Sequence, residues 1–145
     1  MLFRSLDDRA RAEAVFEEAI RLLSPVRLGS RRLVADLEYG GRKLRRGSTV
    51  LMLWAAANRD PERFPRPEEF RPGRPLGHMA FGKGAHHCLG APLASVQGVA
   101  VLRALARRCP DLAVAGEVTW RTDMAMQGPA SLVVSPFAMV AGGRA

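Results

Sequence analysis

Residues 80–94 read AFGKGAHHCLGAPLA and hold one of the chain's two cysteines, two adjacent histidines and three glycines. A thiol in such company could ligate a metal, attack an electrophile, form a disulfide or simply pack. Zinc needs further thiolate or imidazole ligands at CxxC-like spacing, and no second cysteine pair is present. His86 and His87 stand too close to Cys88 to complete a tetrahedron easily. A nucleophilic Cys88 would need a base and an orienting group, for which His78 or His86 is available. Pairing with Cys109 is open in principle, but two cysteines make no disulfide framework. Cys109 follows LARR at the end of an apolar stretch and reads as a small buried or half-buried residue.

The glycines add a further reading. Gly82 and Gly84 permit positive φ and let backbone approach a flat ligand closely. Gly90 and Pro92 lead into a helix, so Cys88 stands just ahead of a helix N-terminus, where the dipole and free N–H groups stabilise a thiolate. Beneath a space flanked by glycine and Phe81, such a thiolate suits the axial position of haem iron.

The elements that must position this loop are legible along the chain. Asp7 or Asp8 caps a helix running to about Leu23, with Ala12, Val15, Phe16, Ala19, Ile20 and Leu23 at helical spacing, and Ser24-Pro25 ends it. Leu33, Ala35, Leu37 and Tyr39 alternate with polar residues as in a strand. Gly40-Gly41 signals a hairpin, and a return strand follows. Residues 48–54, STVLMLW, predict a buried strand leading into a short helix near 55–58. Five prolines in residues 61–75 exclude a ladder or a long helix, yet Phe64 and Phe70 require that meander to pack on the body. Residues 93–108 are apolar over much of a helical circumference and predict a deeply buried helix. Short strands near 112–114, 118–120 and 132–134 close the chain.

FGKGAHHCLG resembles the haem-binding loop of the cytochrome P450 monooxygenases, Phe-Gly-x-Gly-x-His-x-Cys-x-Gly, with Phe81, Gly82, Gly84, His86, Cys88 and Gly90 each in place. Glu18 and Arg21 are similar to the family's Glu-x-x-Arg pair. By itself an i,i+3 pair is worth only about 0.2–0.5 kcal/mol at a surface. The resemblance adds Arg74 as third member of a buried charge cluster, and residues 56–75 look like the family's bacterial meander. It also implies that Cys88 ligates the iron of haem b, and that His86 and Arg31 bind the haem propionates. His78 and His87 have no assigned role.

What the resemblance implies as a whole is a mainly α fold with small β-sheets (α+β), the C-terminal part of a cytochrome P450, in one partial domain over residues 1–145. The activity implied is monooxygenation of an apolar small molecule, with NAD(P)H electrons delivered by a ferredoxin or flavodoxin. Arg103, Arg107 and Arg108 are the docking charges it suggests. The family's oxygen-activating helix, substrate-recognition loops and N-terminal sheet have no counterpart in the sequence. The alternative expectation is therefore a truncated or split fragment that is not catalytic alone and binds haem weakly or not at all. Ser95, Gln97 and Gln127 also depart from common family residues, none of them at the iron ligand.

The totals agree with a single globular unit: 145 residues, 48% of them apolar and 25% charged. The net charge of +8 raises nucleic acid as a partner, but the basic residues are dispersed and no aromatics interleave with them. The longest apolar run, residues 50–57, is too short for a membrane span, and MLFRSLDDRARAE has no signal-peptide core. A cytoplasmic protein without nucleic-acid or membrane partners is expected.

Overall fold

The computed structural model describes residues 3–75, 77–121 and 123–136. A 3₁₀ turn (Phe3–Asp7) leads to Asp8, whose carboxylate accepts the Arg11 N–H at 2.8 Å and so caps helix α1 (Arg9–Leu23). The helix stops at Ser24, which takes φ 43° and donates its N–H to the Ile20 carbonyl. Pro25 then has no N–H with which to continue the ladder.

Four short strands and one turn of helix follow: β1 (Gly29–Arg32), β2 (Leu37–Tyr39), β3 (Arg42–Leu44), β4 (Thr49–Met52) and α2 (Trp54–Ala57). β1 pairs antiparallel with β4, Arg31 opposite Val50, and β2 pairs with β3. Gly40 and Gly41 join the latter pair at φ 57° and 71°, the two positive values a tight primed turn demands. The strand expected from Leu33 onward begins only at Leu37. Leu33 is half-buried and still bonds Ser48 and Gly47, but Val34 and Ala35 are exposed, and Asp36 turns the chain by accepting the Arg46 N–H on its side chain at 2.7 Å. β1 falls on a polar stretch, GSRR, that carries no strand pattern. β4 is half-exposed rather than buried, because among the described residues only β1 pairs with it.

The proline-rich meander runs as turns. It buries Phe64, which lies under the Arg21 guanidinium at 5.3 Å, but leaves Phe70 exposed, contrary to expectation. Helix α3 (Ala91–Arg108) begins with Pro92 in its first turn, a position whose N–H a helix does not use. Pairs β5 (Ala113–Val114) with β8 (Val134–Ser135), and β6 (Thr119–Trp120) with β7 (Pro129–Ser131), close the described chain. The fold is α+β, mainly helical in its core, with two-stranded sheets around it.

That core is small: Leu6, Val15 of α1 and Ala106 of α3, with Leu102 packed beside them. The two helices come close because a Cβ at Gly98 would overlap the Phe16 ring. α3 is not deeply buried. Ala91, Val99 and Ala106 face inward while Leu93, Val96 and Val101 are exposed, since α1 and the 3₁₀ turn cover one side only. Arg103 and Arg107 fasten that side by reaching Asp7, through its carbonyl at 2.8 Å and its carboxylate at 2.9 Å respectively.

Candidate functional site

Beneath the cysteine loop lies a buried ionic network. Glu18 and Arg21 share a face of α1, one turn apart, and form a two-bond pair: Nε donates to Oε2 at 2.7 Å and Nη2 to Oε1 at 2.8 Å. Arg74 donates to the same carboxylate at 3.0 Å, and the Arg71 N–H at 2.8 Å. The remaining guanidinium hydrogens collect meander carbonyls. Arg21 takes Asn58 at 2.8 Å, and Arg74 takes Pro65 at 2.6 Å and Arg66 at 2.8 Å. Two cations thus surround one carboxylate, and every buried polar side-chain atom among the described residues is hydrogen-bonded. Satisfaction of this kind is the condition on which charges tolerate burial. Burial pushes the Glu18 carboxyl up, but hydrogen bonds from Arg21, Arg71 and Arg74 and the Arg21 charge together hold it below the ordinary value.

The loop above is built on two glycines in the left-handed region, Gly82 at φ 69° and Gly84 at φ 72°. They fold the chain back so that the Gly82 N–H donates to the Met79 carbonyl at 2.9 Å and the Cys88 N–H to the Phe81 carbonyl at 2.8 Å. Cys88 is a free, exposed thiol on the wall of a cavity of about 290 Å³. Phe81, Gly82 and His86 also line it, and Ile20, Val26 and Trp54 supply apolar surface. Gly90 has an ordinary helical φ of −81°, and a Cβ there would stand at van der Waals distance, 3.8 Å, from the Cys88 sulfur, so neither conformation nor space demands glycine at this position.

The predicted site residues divide accordingly. Phe81, Gly82, His86 and Cys88 line one cavity, with Gly84 shaping the turn beside it and Gly90 capping the start of α3. Glu18, Arg21 and Arg74 meet in the network below. Arg31 does not join the cavity wall; it is exposed on β1, with Nη1 donating to the Ser30 carbonyl at 2.8 Å. His87 reaches the Gly82 carbonyl at 3.3 Å and meets Phe81 edge-on. His78 bonds Glu17 through Nε2 at 2.8 Å, while its Nδ1 accepts the Ala80 N–H at 3.3 Å. With both ring nitrogens engaged, His78 has no lone pair to offer Cys88 as a base. Nor does any hydrogen bond among the described residues link the Cys88 sulfur to His86 or His87.

Several contributors escaped sequence reasoning. Trp54 covers Gly29, which has no room for a side chain beneath the indole, and so forms part of the cavity wall. Val26 is held by an isolated bridge to Met126, with the Gln127 N–H donating to the Pro25 carbonyl at 2.7 Å. Asn58 and Ser24 are buried links between α1 and the loop. Their signals were weak: an asparagine after a short helix and a serine before proline both read locally as caps.

The donor set limits what could bind. No group of three or more potential metal ligands exists among the described residues, so a bare ion has no cage here. A single exposed thiol on an apolar wall fits a metal that arrives with its other ligands in a flat macrocycle. Among the described residues, no helix is long and apolar enough to cross a membrane.

Comparison with known proteins agrees with this geometry. The family model for cytochrome P450 matches residues 4–118. The chain is 40% identical over 116 residues to 6-deoxyerythronolide B hydroxylase of Saccharopolyspora erythraea, covering 77% of this chain and 29% of that one. It is 37% identical over 129 residues to the beta-dihydromenaquinone-9 omega-hydroxylase of Mycobacterium tuberculosis, covering 88% and 26%. Among solved structures, CYP164A2 of Mycobacterium smegmatis with econazole bound superposes with a TM-score of 0.84 at 41% identity, over 92% of this chain and 34% of that one. The chain therefore spans about a third or less of the length of these relatives, and with its loop, ionic network and fold it belongs to the cytochrome P450 family.

Proposed function

We propose that this chain carries the cysteine-ligating side of a haem-thiolate monooxygenase that acts on an apolar small molecule. The observation that carries the reading is the free Cys88 thiol, exposed on the wall of an apolar cavity at the end of a turn made by two left-handed glycines. Bound there, haem b would supply oxygen activation, with electrons from NAD(P)H arriving through a ferredoxin or flavodoxin.

This chain's own residues do the holding. Cys88 gives its sulfur to the iron, and the Cys88 N–H, tied to Phe81, fixes the backbone behind it. Phe81, Trp54 and Val26 would give a bound haem an apolar wall beside the sulfur. His86 offers an N–H to a propionate, and Arg31 supplies positive charge from β1. Gly84 holds φ 72°, a backbone conformation that a side chain would strain, and so turns the loop that carries Cys88. Arg108 remains the exposed cation of the α3 end available to an acidic redox partner, Arg103 and Arg107 being engaged by Asp7. A cytoplasmic location belongs to the same reading.

A second reading, a haem-side fragment without turnover of its own, is favoured by the exposed apolar side of α3. The ferrous–carbon monoxide difference spectrum of the haem-reconstituted chain tests the first claim. A red-shifted thiolate-type Soret band, abolished by Cys88→Ser, is expected; its absence overturns Cys88 as ligand. Substrate-dependent NADPH oxidation with a ferredoxin and its reductase then separates the two readings.

A further inference from the structure

Asn58, at the end of the one-turn helix α2, is completely buried, and each of its polar groups is used. Its N–H donates to the Trp54 carbonyl at 2.9 Å, and its own carbonyl accepts Arg21 Nη1 at 2.8 Å. In the side chain, Nδ2 donates to Ser24 Oγ at 2.9 Å, while Oδ1 accepts the Met79 N–H. The orientation of the amide is forced. Ser24 gives its hydroxyl hydrogen to the Arg21 carbonyl at 2.8 Å and can only accept from Asn58, while a backbone N–H can only donate. One side chain therefore joins the C-terminal end of α1 to the segment entering the glycine loop.

From Met79 two further bonds reach the cysteine. The Met79 carbonyl accepts the Gly82 N–H, and the carbonyl of Phe81, between them in sequence, accepts the Cys88 N–H. Both turns are closed by backbone bonds, so displacing Met79 moves Phe81, and displacing Phe81 moves Cys88. Glu18, Arg21 and Arg74 cannot do this work directly, since their side chains bond α1 and the meander rather than the loop.

We infer that Asn58 is a positioning residue for Cys88, acting through Met79 and Phe81. The use of Cys88 as an iron ligand rests on the function proposed above; the mechanical link does not. Three variants test it: Asn58→Leu, which keeps the approximate bulk and removes both side-chain bonds; Asn58→Asp, which keeps an acceptor for Met79; and Ser24→Ala, which removes the α1 partner but spares the Met79 bond.

Amide hydrogen exchange and the carbon monoxide spectrum are read together. Asn58→Leu is expected to speed exchange at Met79 and Cys88 by about tenfold relative to amides elsewhere in the core. It should also move part of the Soret band to the blue-shifted, non-thiolate form. Ser24→Ala should lower the melting temperature yet leave the spectrum and the relative protection of Cys88 unchanged. Asn58→Asp should keep near wild-type protection at Met79 and Cys88. Should Asn58→Leu fail to fold, Asn58→Ser, whose side chain is too short to hold Met79, decides. Selective loss of protection there is then expected, and wild-type protection overturns the inference. Loss of protection spread evenly over the core in Asn58→Leu, with an unaltered spectrum, would overturn the inference, as would equal loss at Cys88 in Ser24→Ala. A wild-type chain lacking the thiolate band would sink the haem reading alone, because the exchange data still report whether Asn58 holds Cys88.

Discussion

Glu18 is 3% exposed and meets two guanidinium groups, an arrangement with a definite pH signature. Burial raises its carboxyl, and the hydrogen bonds from Arg21, Arg71 and Arg74 with the Arg21 charge more than offset that, leaving it lowered. A carboxyl lower in the folded chain than in the unfolded one contributes stability that is complete above the unfolded value. That stability is lost as pH falls through the depressed folded value. The exposed Asp123 carboxylate, held by the Met126 and Ala125 N–H groups, is lowered as well and adds to the same acid limb. The urea midpoint should thus hold from neutral pH down to the ordinary glutamate range and drop below it. Glu18→Gln should cost about 3–5 kcal/mol at neutral pH, by leaving buried arginine uncompensated, and should make the acid limb shallower. An equally steep limb in that variant would assign acid sensitivity to other carboxylates. The motif spacing made the Glu18–Arg21 pair visible in the sequence. It could not reveal Asn58, whose role depends on a partner 21 residues away.

Between elements, the contact of α1 with α3 depends on one absent side chain. Phe16 lies where a Cβ on Gly98 would be. Alanine is worth roughly 1 kcal/mol over glycine in a helix interior, whereas forcing extra volume into a packed contact costs about 1–3 kcal/mol. Gly98→Ala should therefore destabilise the chain on balance, and Phe16→Leu in the same chain should recover part of the loss. A double-mutant cycle in denaturant checks this; additive effects would show that the helices shift apart at no cost. The ends of α1, the Gly40-Gly41 turn and the Pro92 start of α3 were all readable, because caps and tight turns are satisfied by residues a few positions away. β1 was not, since its polar sequence gains strand geometry only by pairing with β4.

Across the whole molecule, apolar surface is the dominant unsolved cost. Leu89, beside Cys88, is 97% exposed, and Leu93 and Val96 on α3 are each 62% exposed. Large apolar side chains exposed to this extent drive association in water. The purified chain should bind anilinonaphthalene sulfonate strongly and sediment as concentration-dependent oligomers at micromolar concentration. A monomer that melts cooperatively without binding the dye would show that the exposed side of α3 is tolerated in solvent.

The sequence by itself determined the family: six matched positions from Phe81 to Gly90 include one cysteine, and a glutamate–arginine pair precedes them. These were legible because a cysteine placed beside left-handed glycines rests on particular residue types at short spacing. Only the tertiary structure decided which groups hold the loop in place, that Phe70 and half of α3 face outward, and that Arg103 and Arg107 are engaged by Asp7. Burial and long-range hydrogen bonds depend on what is stacked against a segment, and a local pattern contains no record of that neighbour.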